Sequence, residues 1–182
     1  MKYDPAKHHR RSIRLRGYDY SQPGLYFVTI CCYKRQHLFG EIVDGVMHLN
    51  QYGEIAQEEW QKSSIIRPDI KLDEYVIMPN HFHGIVIINP VGANCCSPLQ
   101  LSSTRLSMKP RSLSSIMAGF KSAVTKKINI IRNAPGTPVW QRNYYEHIIR
   151  NENALNNIRQ YIINNPLSWH QDQLHPDNPS KW

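Results

Sequence analysis

Two histidines at i and i+2, His81-Phe82-His83, stand at the head of the apolar run Gly84-Ile85-Val86-Ile87-Ile88. In a β-strand such residues point to one face, so both imidazoles can approach a single cation. A strand that turns a polar face outward explains the same spacing, and the rest of the chain must decide between the two. Farther along, Tyr161 and Asn165 lie four apart in a segment that reads as a helix, so one helical face can deliver a phenol and an amide oxygen together. That pair has a chemical use: a phenolate can attack phosphorus, and the Asn165 oxygen can join the His81 and His83 nitrogens as a third metal ligand. Water and a phosphate oxygen would complete the shell. Taken alone, Tyr161 also suits a core edge, and Asn165 a helix end before Pro166. Imidazoles suit zinc, nickel or iron, whereas phosphoryl chemistry and amide oxygens suit magnesium or manganese, so the donors leave the metal open. Residues 75 to 145 contain no Asp or Glu, which excludes a site built on carboxylates from that region.

The elements that must hold these residues are legible in outline. Gly24 to Tyr33 is rich in β-branched and aromatic residues and predicts a buried strand. Asp44-Gly45 predicts a hairpin turn before the short strand Val46 to Leu49. Asn50 can cap a helix to about Ile65, with Ile55, Ala56 and Trp60 on one stripe. Ile70 to Met78 and His81 to Ile88 read as strands around a Pro79-Asn80 turn. Asn89 to Pro110 reads as a long loop. Ser112 or Ser114 can cap a second helix, with Ile116, Phe120, Val124 and Ile128 on its apolar face. Val139 to Ile149 reads as a final strand. Asn151 or Asn153 caps a last helix, striped by Leu155, Ile158 and Ile162 and ending near Asn165-Pro166.

Strand, helix, strand, strand, helix, strand is the ferredoxin-like order, an α+β fold whose antiparallel sheet carries helices on one face. The extra C-terminal helix is added to it. In this order the first and third long strands are central, which places His81 and His83 near the middle of the open face.

The 182 residues, 41% of them hydrophobic, suffice for one domain with a real core. No run is apolar enough for a membrane span and the first residues do not read as a signal peptide, so a cytoplasmic, nucleoid-associated protein is expected. The four cysteines fall in the adjacent pairs Cys31-Cys32 and Cys95-Cys96, which lack the spacing of a zinc or redox site. Net charge is +8. Between Tyr75 and Tyr145 every charged residue is a cation: Arg105, Lys109, Arg111, Lys121, Lys126, Lys127, Arg132 and Arg142. A second cluster, Lys7, Arg10, Arg11, Arg14 and Arg16, lies in a sparsely apolar N-terminal arm. Such a distribution points to a nucleic-acid partner. Tyr144, Tyr145, Trp140 and Phe82 are either stacking platforms for bases or core residues. The chain divides into a basic arm at 1–20, a domain at 21–168 and a tail at 169–182.

His-hydrophobic-His after Met78-Pro79-Asn80, followed by the helical tyrosine of Tyr161-Ile162-Ile163-Asn164-Asn165-Pro166, resembles the single-tyrosine HUH transposases. It is most similar to their REP-associated tyrosine transposase branch in bacteria. Gly24-Leu25-Tyr26-Phe27-Val28-Thr29, Leu38-Phe39-Gly40 and the stretch from Val139-Trp140-Gln141-Arg142 to Ile148-Ile149-Arg150 match as well, so the resemblance spans about residues 10 to 168. Asn165 stands where the classical insertion-sequence relatives usually carry Gln, and with the basic arm this favours the REP-associated branch.

The resemblance implies a ferredoxin-like sheet and an enzyme that cuts and rejoins single-stranded DNA at hairpin-flanked sites. Carried over, Tyr161 is the nucleophile, and His81, His83 and Asn165 hold magnesium or manganese. Tyr161 would form a 5′-phosphotyrosine and free a 3′-hydroxyl, whose later attack rejoins strands without external energy. A phenol of ordinary pKa, near 10, needs help to lose its proton, and the sequence names no base. DNA would be held by Arg10, Arg11, Arg14 and Arg16 of the arm and by Arg105, Lys109, Arg111, Lys121, Lys126, Lys127 and Arg142. Monomers acting in cis and homodimers exchanging tyrosine helices are both compatible with the sequence. Two other classes stay open: a non-catalytic single-strand-binding module, and a metal-dependent phosphohydrolase that uses water.

Overall fold

The computed structural model describes residue 15, residues 17–90 and residues 109–178. Arg10, Arg11, Arg14, Arg16 and Arg105, with most of the expected 89–110 loop, lie outside them. Four long strands form one antiparallel sheet: β1 (Gly24–Cys31), β4 (Ile70–Met78), β5 (His81–Ile88) and β6 (Tyr145–Ile149), in the order β4-β5-β1-β6. The two central strands are thus the first and third long strands. A separate hairpin pairs β2 (Gly40–Val43) with β3 (Val46–Leu49) around Asp44 and Gly45, whose φ of 51° and 75° are those of a primed turn.

Helices α1 (Gln51–Ile66) and α2 (Leu113–Ile131) cover one face of the sheet, and α3 (Glu152–Asn164) lies on the other. The N-caps are Asn50, Ser112 and Asn151, each accepting from backbone N–H groups of the first turn. Tyr26, Val28 and Ile30 of β1 and Phe82 and Val86 of β5 point toward α1 and α2, where they meet Trp60, Ile116, Phe120, Val124 and Ile128. A Cβ on Gly84 would stand 2.8 Å from the Trp60 ring and 2.6 Å from the Phe82 ring. Only glycine lets the indole approach the sheet this closely. Among the described residues, no helix is long and apolar enough to cross a membrane.

Two elements differ from expectation. β1 ends at Cys31, two residues short of Tyr33, because the chain turns there and Lys34 and Arg35 take φ of 54° and 53°. The last strand covers only Tyr145–Ile149, not Val139–Ile149. Asn143 has φ of 64°, which no ladder accommodates, and upstream of it a single bridge joins Trp140 to Cys32.

Candidate metal and nucleophile site

Strand register sets the first half of the site. Thr29 of β1 faces His83 of β5, and Cys31 faces His81, on the sheet face opposite α1 and α2. The Thr29 hydroxyl lies 2.7 Å from His83 Nδ1. Helix α3 supplies the second half. Its Leu155 and Ile162 bury against Phe27, Ile85 and Ile149, and its Arg159 forks onto Asp73 of β4, with Nε and a terminal nitrogen 2.8 and 2.6 Å from the two carboxylate oxygens. Apolar contact sets the height of the helix and the fork sets its rotation. Tyr161, half-exposed, then reaches His83: its hydroxyl is 3.2 Å from His83 Nε2.

Asn165, one turn on, is buried. Its Nδ2 donates to Asp172 Oδ2 at 2.9 Å, and Leu174 N donates to Asp172 Oδ1 at 2.6 Å. His81 Nδ1 lies 2.8 Å from Asn80 Oδ1. That leaves His81 Nε2 and Asn165 Oδ1 buried and without hydrogen-bond partners among the described residues. The ligating atoms of His81, His83 and Asp172 lie within 4.8 Å of one another.

Electrostatics agree with this geometry. Burial pulls the His81 pKa down to about 3; the neighbouring Asn165 amide pushes the other way, and Arg35 adds to the depression. His83 is held well below the ordinary imidazole range by burial and by His81, with Asp172 opposing. Both rings are therefore neutral at physiological pH, the state that ligates a metal. Burial and the Asp172 charge raise the Tyr161 phenol to about 12, an effect the Asn165 amide partly offsets. Buried acceptors beside a phenol whose ionisation is suppressed fit a divalent ion held by nitrogen and oxygen donors.

Beside these residues runs a groove of about 640 Å³, lined by His83, Tyr161, Asn165 and Asp172 and by Arg35, Arg142, Tyr144 and Tyr145. Of the expected cations, Arg142 is exposed on this groove. Lys121 is directed inward: its Nζ donates to the carbonyls of Gln141 and Asn143 at 2.6 and 2.9 Å, and burial lowers its pKa to about 8. Lys127 pairs with Glu59 and Glu58 of α1 at 2.6 and 3.6 Å, on the face away from the groove. Lys109 pairs with Asp19, while Arg111 and Lys126 are exposed. Phe82 and Trp140 are core residues, packed on Trp60 and Phe39 with ring centroids 4.5 and 5.0 Å apart.

Sequence reasoning missed Arg35 and Asp172. Asp172 belongs to the 169–182 stretch set apart as a tail, yet residues 169–178 pack on this end of the sheet: Trp169 is buried with its ring 6.0 Å from His81, and the Leu174 carbonyl accepts from Asn80 Nδ2 at 2.7 Å. Trp169 itself was the available signal, since an isolated solvated tail gains nothing from an indole.

No family model matches the chain. A protein of Haemophilus influenzae (strain Rd), described only as an uncharacterized protein, is 47% identical over 179 residues, covering 97% of this chain and 98% of its own. Among solved structures, a REP-associated tyrosine transposase bound to a REP hairpin superposes with a TM-score of 0.57 at 19% identity, covering 94% of this chain and 91% of its own. At that identity the likeness is one of fold.

Proposed function

The chain belongs to one family with the Haemophilus influenzae protein, and we propose that it is a metal-assisted enzyme that nicks single-stranded DNA beside hairpins and transfers the strand, with Tyr161 as nucleophile. The observation that carries the proposal is a coincidence in space. The Tyr161 hydroxyl stands 3.2 Å from His83 Nε2, beside the buried His81 Nε2 and Asn165 Oδ1, which lack partners among the described residues. A structural tyrosine or a polar strand face does not account for two orphaned acceptors beside it, because each costs about 1–3 kcal/mol unless something fills the space. The fold shared with a transposase solved on a REP hairpin supports hairpin DNA as the substrate.

His81, His83 and Asn165 would hold the ion, with Asp172 adjacent; magnesium or manganese matches the phosphoryl chemistry. When bound, the ion would supply positive charge at the ligands themselves, making the phenol more acidic and balancing charge on the phosphate. The remaining work falls to the chain. Arg142 and Arg35 on the groove hold the strand by its phosphates, and Tyr144 and Tyr145 offer stacking surfaces for unpaired bases. Tyr161 gives up its proton, its oxygen forms a bond to phosphorus, and the bond from phosphorus to the 3′-oxygen breaks. A 5′-phosphotyrosine and a 3′-hydroxyl result. Attack of a 3′-hydroxyl on that linkage reverses the step and joins strands, returning the proton to Tyr161.

Labelled hairpin oligonucleotides with randomised single-stranded flanks test this with manganese present. A band resistant to SDS is expected on one cleavage product, and Tyr161→Phe should abolish it while leaving binding within about twofold. An adduct that survives Tyr161→Phe would move the nucleophile to Tyr144 or Tyr145. Binding with no adduct at all would leave the non-catalytic module.

A further inference from the structure

The hydrogen bonds around the candidate ligands form a circuit that begins on one nitrogen of His81 and returns to the other. Its polarity can be followed from a single peptide. The Leu174 carbonyl can only accept, so the Asn80 side chain must present its NH₂ there, at 2.7 Å. Asn80 Oδ1 therefore faces His81 Nδ1, at 2.8 Å, and that nitrogen must carry the ring proton. His81 Nε2 is left as a bare lone pair. On the other side, Leu174 N–H can only donate, and Asp172 Oδ1 receives it at 2.6 Å. The carboxylate's other oxygen takes Asn165 Nδ2 at 2.9 Å, which turns Asn165 Oδ1 away from Asp172 and toward the imidazole. Both ends of the circuit are acceptors, both are buried, and neither has a partner among the described residues.

Resting on the metal-site reading above, we infer that Asp172 is a positioning residue: by holding the Asn165 NH₂, it forces the amide oxygen, not the nitrogen, to face the cation site beside His81. The need for such a residue is physical. A side-chain amide is nearly symmetric in shape, and a flipped Asn165 would put an NH₂ against the site, where it would repel a cation and offer no lone pair. A carboxylate that is acceptor-only removes that alternative, because a flipped amide would set oxygen against oxygen at 2.9 Å. Asp172 is suited to the task because it is itself buried and braced by the backbone of Leu174. Leu174 thereby sets His81 through Asn80 and Asn165 through Asp172, so a short turn beyond the last helix governs both ligands. This is outer-shell support of the kind that holds ligand tautomers in metal sites generally, where its loss costs about 10- to 100-fold in affinity.

The full chain, metal-free and then titrated with manganese ion alone, provides the test. In the metal-free protein, nitrogen NMR should find His81 as the Nδ1–H tautomer, and the Asn165 side-chain NH₂ resonances should move on Asp172→Ala. In titrations followed by the free-manganese EPR signal, Asp172→Ala should weaken binding about 10- to 100-fold, as should Asn165→Ala. The double variant should be no more than about threefold weaker than Asn165→Ala, since Asp172 acts through Asn165. Asp172→Asn, which offers one acceptor where two donors converge, should fall between wild type and Asp172→Ala.

Losses that multiply in the double variant would overturn the inference and make Asp172 a direct ligand. So would unmoved Asn165 resonances, or manganese binding that Asp172→Ala leaves unchanged or strengthens. Failure of the metal-site reading looks different: the tautomer and amide signatures would hold, while wild type and His81→Ala would bind manganese equally poorly.

Discussion

The two faces of the central sheet are built from alternate residues of the same strands and reach opposite solutions. Toward α1 and α2, Phe82 meets Trp60 and Phe120 in a core where the side chains are apolar and close-packed. Toward α3, its neighbours His81 and His83 are as deeply buried, yet they bring polar nitrogens that burial penalises. Alternation along one strand thus sends successive residues to different tasks, stability on one side and chemistry on the other. A face that keeps orphaned acceptors inside is one that folding alone would have filled with hydrocarbon.

Single substitutions on β5 can break this comparison most sharply. His83→Ala should reduce manganese-dependent cleavage at least 100-fold while changing unfolding free energy by less than about 1 kcal/mol, because the lost contacts are offset by removal of a desolvated polar ring. Phe82→Ala, one residue away, should cost about 3–5 kcal/mol, as for a large core aromatic. Urea denaturation and the adduct assay on both variants give the answer. Comparable stability losses from the two would erase the distinction between the faces.

Much of this division was readable from spacing. Period two places His81 and His83 together, and period four places Tyr161 with Asn165, because backbone geometry fixes such neighbours before any tertiary contact forms. Asp172 was not readable that way: its partner Asn165 is reached through a turn after Pro166, and no period links them. The expected strand from Val139 failed at Asn143, since β-propensity does not register one left-handed residue. The acid-free stretch did not reveal that Lys127 is ion-paired, for a related reason. Its acids, Glu58 and Glu59, come from α1, and the charge of a segment says nothing of what packs across it.

A smaller effect concerns how α3 holds Tyr161 over the histidine face. The Arg159 guanidinium holds the Asp73 carboxyl below the usual aspartate range, and this pair joins α3 to edge strand β4 by a charged fork. A depressed folded pKa means the stabilisation is present above the unfolded aspartate value, about 3.9, and drains away as pH falls through the lower folded value. Urea midpoints of wild type and Asp73→Asn should therefore differ by a constant amount from pH 5 to 7 and converge toward pH 3. At pH 7 the variant should form adduct a few-fold more slowly, with DNA affinity unchanged, because only the nucleophile's placement is loosened. A difference that persists at pH 3 would show that Asp73 acts through something other than its charge.

The smallest expected effect concerns charge, and it separates the groove from the helical layer. Arg142 is exposed beside Tyr161 and His83, whereas Lys127 is committed to Glu59 and Glu58 on the far side of the sheet. If single-stranded DNA runs along the groove, each phosphate contacted contributes about −0.7 to the slope of log affinity against log salt. Arg142→Ala should flatten that slope by about one contact and weaken binding most at low salt. Lys127→Ala should leave the slope where it was and register instead as lost stability, since it strips the largely buried Glu59 carboxylate of a cation 2.6 Å away. The two variants remove the same formal charge, so a response to total charge would change both slopes equally. Fluorescence anisotropy from 50 to 300 mM salt distinguishes these outcomes, and equal slopes for the two variants would mean that the strand is drawn by the whole basic surface and not guided by the groove.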